Sequence, residues 1–216
     1  MSINLIPSFH AGKNVVQGES LNAMVNLLNG AAPLPSSLNT QFGSGSATFG
    51  EEGNIYKLFT AGTSPASTGG DIVVATFTIP ANSFDIAGRS LSIFASGNFA
   101  NNTNVKTAKI IVGATTAVVG SAVSGGTTVA TTGAYSTTGA AGWSLSANVN
   151  KYGAAGSNTQ NYQEMGVVIG ATHGGMGVAG TLTLNEAAPI IVAITLNSAT
   201  TASDSSLWQL EANATN

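Results

Sequence analysis

Trp143-Ser144-Leu145-Ser146-Ala147-Asn148-Val149-Asn150 alternates apolar and polar residues without a break. Successive side chains of a strand point to opposite faces, so this pattern belongs to a strand with one buried and one wet face. The same rhythm recurs on both sides of it. Residues 71–79 carry Val73, Ala75, Phe77 and Ile79 on one parity and Ile72, Val74, Thr76 and Thr78 on the other, and Pro80 ends the run. Residues 89–100 place Leu91, Ile93 and Phe99 together, with Gly97 as a bulge candidate. Residues 105–112 and 115–119 read as two strands paired through a turn at Gly113. Runs at 55–60, 162–169, 178–184, 190–196 and 207–212 complete a series of nine or ten short strands.

Gly/Ser/Asn turns separate these strands, and no long helix intervenes. That excludes the βαβ rhythm of a parallel sheet and predicts an all-β chain. The expected architecture is an antiparallel two-sheet β-sandwich, a jelly roll, over residues 51–216. The Ala/Gly/Thr tract at 114–142 has no fixed period and reads as a hairpin with long excursions.

Residues 1–50 differ from the rest. Leu21, Met24, Val25 and Leu28 recur at helical spacing, with Glu19 and Ser20 at the start and Gly30 at the end. A helix over about 19–29 is too short to be stable alone in water and must dock on something. Ala31-Ala32-Pro33-Leu34-Pro35 breaks regular structure, and Gly43-Ser44-Gly45-Ser46 reads as a joint. The segment therefore reads as an N-terminal arm with one short helix. Ile6, Phe9, Leu21, Met24, Val25 and Leu28 are its candidate partner-docking residues.

Charge is nearly absent: Asp, Glu, Lys and Arg make up 7% of 216 residues, against about 25% in an ordinary soluble domain. With a positive mean hydropathy, the chain is not of the disordered type, which couples high charge to low hydrophobicity. The six basic residues form no stripe, so nucleic acid is not an expected partner. Lys106 and Lys109 read as two solvated charges at a strand start. No stretch approaches the ~20 apolar residues of a membrane helix, and the N-terminus lacks the basic region and apolar run of a signal peptide. The expectation is a chain made in a cytoplasm without membrane insertion. Having no cysteine, it cannot use disulfides or thiolate chemistry.

Motifs for catalysis are weak. Gly175-Met176-Gly177-Val178-Ala179-Gly180 matches GxGxxG, but Thr181-Leu182-Thr183-Leu184 continues as a strand rather than a helix. His10 and His173 are the only histidines. No GxSxG elbow occurs, and Glu51-Glu52 read as a solvated loop pair. No catalytic residue, metal ligand or cofactor is expected, and the chain is read as non-enzymatic. Trp143 and Trp208 lie on alternating runs and are expected in the core. Phe94 has the parity opposite to Leu91 and Ile93 and is the interface candidate.

Two stretches carry a family likeness. The run from Gly18 to Asn29, Gly-Glu-Ser-Leu-Asn-Ala-Met-Val-Asn-Leu-Leu-Asn, resembles N-terminal arms of tailed-bacteriophage virion proteins. Ala75-Thr76-Phe77-Thr78-Ile79-Pro80-Ala81-Asn82, then Gly97-Asn98-Phe99-Ala100-Asn101, Lys106, Lys109 and Gly113, is similar to a jelly-roll module of phage structural proteins. The resemblance implies a capsid decoration (cement) or head-fibre protein located in the virion. It implies a homotrimer anchored by its arm on the major capsid protein or another virion protein. The alternative reading is a tail-associated receptor- or glycan-binding adhesion module that contacts a host-surface glycan through loops 125–142 and 153–161.

Overall fold

The computed structural model describes residues 53–84, 86–136, 138–139, 141–169 and 179–215. The expected arm with its helix and docking residues Ile6, Phe9, Leu21, Met24, Val25 and Leu28 lies outside the described residues. So do both histidines and most of the Gly-rich loop at 175–180.

Ten strands follow one another among the described residues: β1 (Gly53–Thr63), β2 (Ile72–Ile79), β3 (Ser90–Phe99), β4 (Lys106–Thr116), β5 (Ser124–Thr131), β6 (Ala141–Lys151), β7 (Gln160–Val168), β8 (Ala179–Leu182), β9 (Ile190–Ser198) and β10 (Ser205–Thr215). They form a six-stranded sheet, β1-β10-β3-β6-β7-β8, and a four-stranded sheet, β2-β9-β4-β5. Every pairing is antiparallel. The described residues are thus all-β with two antiparallel sheets, as the alternating runs predict.

The core lies between the sheets and is filled mostly from the predicted parities, except that a register shift between Val73 and Ala75 puts Val74 rather than Val73 in the core cluster. Leu91, Ile93, Ala95 and Phe99 of β3 meet Trp143, Leu145, Ala147 and Val149 of β6 on one side. Ala75, Phe77 and Ile79 of β2 and Val192, Ile194 and Leu196 of β9 come from the other. Phe99 stacks between Tyr135 and Trp143, with ring centroids 5.6 and 6.0 Å apart.

Three expectations about local structure are corrected. Gly113 is not a turn: β4 runs through it, with φ +75° and a register shift against β9 between Val112 and Ala114. Glycine takes this left-handed backbone without penalty, so the strand bends rather than ends. Gly97 is not a bulge, for β3 pairs with β6 in unbroken register through it. The bulge lies opposite, in β10, where Leu207 pairs with Gly97 but Gln209 pairs with Ser96. The extra residue is Trp208, which leaves the expected core position and stands exposed, while Leu207 and Leu210 both stay inside.

Lys106 is not solvated, and Lys109 is only partly so. Lys106 is fully buried and donates to Ala100 O, Asn102 O and Asn102 Oδ1 at 3.1, 2.9 and 2.6 Å. Asp204 accepts from the side-chain amides of Asn102 and Asn104, which closes the loop before β4 onto the turn before β10. Burial lowers the Lys106 ammonium below the ordinary lysine range, and the Asp204 carboxylate opposes that shift. Lys109 forms an ion pair with Asp71 at 2.7 Å.

At the other end of the sandwich, buried Lys151 donates to Glu186 Oε1, Ser157 Oγ and Thr159 Oγ1 at 2.5, 2.8 and 3.2 Å. Gln160 and the Gly156 amide complete the shell of Glu186. Each end of the sandwich is therefore closed by one buried lysine. A chain with few charges has placed four of them inside, Lys106, Lys151, Glu186 and Asp204, where unpaired they would be very costly.

Candidate functional site

The two sheets differ in what covers their outer faces. In the four-stranded sheet the β4–β5 hairpin leaves one edge and its tip pairs with β2 at the opposite edge. Val73 N donates to Ser121 O, Gly120 N to Val73 O and Val123 N to Asp71 O. The hairpin must cross the outer face to make these bonds. Ile111, Ala193 and Thr195 are accordingly buried although they have the parity opposite to the core.

The outer face of the six-stranded sheet has no such cover among the described residues. Its middle strands turn outward Ser90, Ser92, Phe94, Ser96 and Asn98 from β3, and Ser144, Ser146, Asn148 and Asn150 from β6. Strand pairing aligns these into rows. One row runs Lys57, Glu211, Phe94, Ser146, Met165, and the next runs Phe59, Gln209, Ser96, Ser144, Val167. Beyond them stand Trp208 at the β10 bulge and Ile169, whose amide donates to Gly142 O.

Five large apolar side chains stand out from this half of the face, set among the Ser and Gln residues of the same rows. Phe59, Phe94, Met165, Ile169 and Trp208 are 57, 37, 61, 64 and 52% exposed. Other exposed large apolar residues sit apart, singly in loops (Ile86, Val105, Tyr152) or at the hairpin tip (Val118, Val119). Scattered ones need no explanation, whereas several gathered on one sheet face point to an interaction site.

The other half is hydroxyl and amide, and it bonds to itself. Ser92 Oγ donates to Asn148 Oδ1 at 2.5 Å and Asn150 Nδ2 to Asn161 Oδ1 at 3.1 Å, and the hydroxyls of Ser90 and Thr215 share a hydrogen bond. Among the described residues the charges on this face are Lys57 and Glu211, which pair at 3.1 Å. Lys57 Nζ also sits 4.9 Å from the centre of the Phe59 ring.

Phe94, singled out by parity, lies at the centre of this face. Phe59, Met165, Ile169 and Trp208 were not anticipated. Met165, Val167 and Ile169 share a parity opposite to Gly166 and Val168, so the sequence carried a trace of a strand apolar on both sides. Trp208 carried no such signal, because only the bulge turns it outward.

Elsewhere the chemistry is sparse. A cleft of about 340 Å³ is bounded by Val112, Gly113, Thr127, Leu184 and Ile190, and no titratable side chain among the described residues lines it. No group of three or more His, Asp or Glu side chains comes together among the described residues. No helix among them is long and apolar enough to cross a membrane.

Glu164 is the one carboxylate turned toward the interior without a cationic partner among the described residues. It projects from β7 opposite Ala147, its Oε1 buried without a hydrogen bond. Burial raises its carboxyl above the usual range, and a backbone hydrogen bond from Thr131 opposes the shift. A raised folded-state pKa means that stability is fully present below the unfolded carboxyl range and is lost as pH rises through the folded value. Glu164→Gln removes that loss. The variant is expected to melt higher than the parent at pH 7, with the difference shrinking toward pH 4 in a calorimetric series.

No family model and no curated protein matches the chain.

Proposed function

We propose that this chain is a non-enzymatic structural protein of a tailed-phage virion, a capsid decoration or head-fibre component. It docks through residues 1–50 and associates with copies of itself through its β domain. The observation that carries the reading is the strand order. Each sheet takes strands alternately from the start and the end of the described chain: β1-β10-β3-β6 and β2-β9-β4-β5. That nesting supports a jelly roll, with β7 and β8 added beyond β6, and the jelly roll is the module the resemblance implies. The use of charge supports it as well. Lys106, Lys109 and Lys151 hold loops and strands together rather than lining a cleft.

Deleting residues 1–45 tests the anchor. The truncated protein should keep its β-sheet circular dichroism, because the core cluster is drawn from residues 74–214 and the side chains packed on it begin at Ile55. It should no longer cosediment with virions that lack this protein. Undiminished cosedimentation would remove the anchoring role.

A further inference from the structure

The uncovered face of the six-stranded sheet has a definite chemistry, and we propose that its occupant is a second copy of this chain. The proposal rests on the self-association stated above and assigns its surface: Phe59, Phe94, Met165, Ile169 and Trp208 as the apolar anchors, with the Ser/Asn half as the surround.

Size is the first support. Six strands spaced ~4.8 Å apart, each rising ~3.3 Å per residue over about nine residues, present on the order of 700 Å². A standard protein interface takes about 800 Å² from each partner.

Composition is the second. Interface cores are enriched in aromatic residues and Met and depleted in Lys and Glu. The five anchors fit that make-up, three aromatic side chains and a Met among them. The charged pair of this face, Lys57 with Glu211, stands beside them and is neutralised within one copy.

Charge selects the occupant further. A chain of net charge −3 meets its own like charges in any self-contact. A face whose charges cancel internally is the surface on which a copy can sit without that repulsion.

Part of the polar half is already paired within one copy. Here Ser92 donates to Asn148, Asn150 donates to Asn161, and Ser90 bonds Thr215. Polar groups already paired within one copy can be covered by another without being left unsatisfied. Those three pairs can lie under a second copy without loss.

The test is the solution mass of the full chain by light scattering after size exclusion, for wild type and for Phe94→Asp/Met165→Asp. Wild type should run as a multiple of 21.4 kDa and the double variant at 21.4 kDa with unchanged circular dichroism. A monomeric wild type at every concentration overturns both the face and the self-association beneath it. An oligomeric double variant overturns the face alone.

Should the double variant fail to fold, a milder change decides. The chain has no cysteine, so Ser146→Cys introduces a single thiol beside Phe94 and Met165. Its alkylation should slow at least tenfold between dilute and concentrated protein. A thiol placed at Val119, on the hairpin tip, should react at a constant rate. Equal rates at Ser146→Cys across concentrations, or a glycan that protects it when added protein does not, overturn the assignment.

Discussion

Gly97→Ala is expected to cost the β domain at least about 3 kcal/mol, the upper end of ordinary overpacking, and Gly97→Val to leave it unfolded. Gly97 lies on the core parity of β3, directly opposite Trp143 on β6. The space its side chain would fill is occupied. An added Cβ would stand 1.9 Å from Ser206 O and 2.6 Å from Trp143 Cζ2. The first neighbour is backbone of the adjacent strand and cannot rotate away. The second is an indole wedged beside Phe99. To relieve both, β10 would have to separate from β3 at its bulge, and the aromatic stack would have to shift with it. Domains of this size have about 5–15 kcal/mol of stability in all, so the loss is a large fraction of it. Urea denaturation followed by tryptophan fluorescence measures the loss. A midpoint for Gly97→Ala within error of wild type would show that the strands yield there at little cost.

Lys151→Met should be about as damaging, by a different route. Removing one partner of a buried ion pair costs about 3–5 kcal/mol because the other charge is left in place without compensation. Lys151 and Glu186 side chains are 0 and 3% exposed. Without the ammonium, Glu186 keeps only Gln160 and the Gly156 amide, two neutral donors for a buried anion. Loops 152–159 and 183–189 should loosen together, since Lys151 and Glu186 bind both. The double variant Lys151→Met/Glu186→Gln should recover part of the loss, because it removes the stranded charge. Denaturation midpoints of the two singles and the double complete the cycle, and limited proteolysis within 152–159 reports the loop. Equal stability of the single and double variants would mean that solvent reaches the carboxylate and the pair is not truly buried.

Both predictions rest on residues that the sequence presents ambiguously. Gly97 in an alternating run reads equally well as a bulge or as a slot for a neighbour's side chain. Only the partner across the ladder decides, and here it is Trp143. Lysines near strand ends read as solvated because most lysines are. Lys106 is buried under oxygens of Ala100 and Asn102 on a loop that Asp204 holds from far along the chain, and Lys151 under Ser157, Thr159 and the distant Glu186, and strand alternation announces neither. The face around Phe94 was half legible. Parity alone turned Phe94 away from Leu91 and Ile93. Phe59, Met165 and Ile169 joined it only once strand order set β1, β10, β3, β6 and β7 side by side.

Alternation in 71–79, 89–100 and 143–150, together with turn residues between the runs, was enough to determine an all-β chain of two antiparallel sheets and most of its core. A period of two is local: each side chain's face follows from its neighbour's, whatever the strand pairs with. Which face of which sheet remains open, where the few charges go and that Trp208 faces outward are not local quantities. The hairpin crossing from β4–β5 to β2 buries one outer face, while the other has no such cover among the described residues. The bulge in β10 shifts parity for one residue and sends a tryptophan from the core to the surface. Such outcomes depend on contacts between segments far apart in the chain, so only the tertiary structure could decide them.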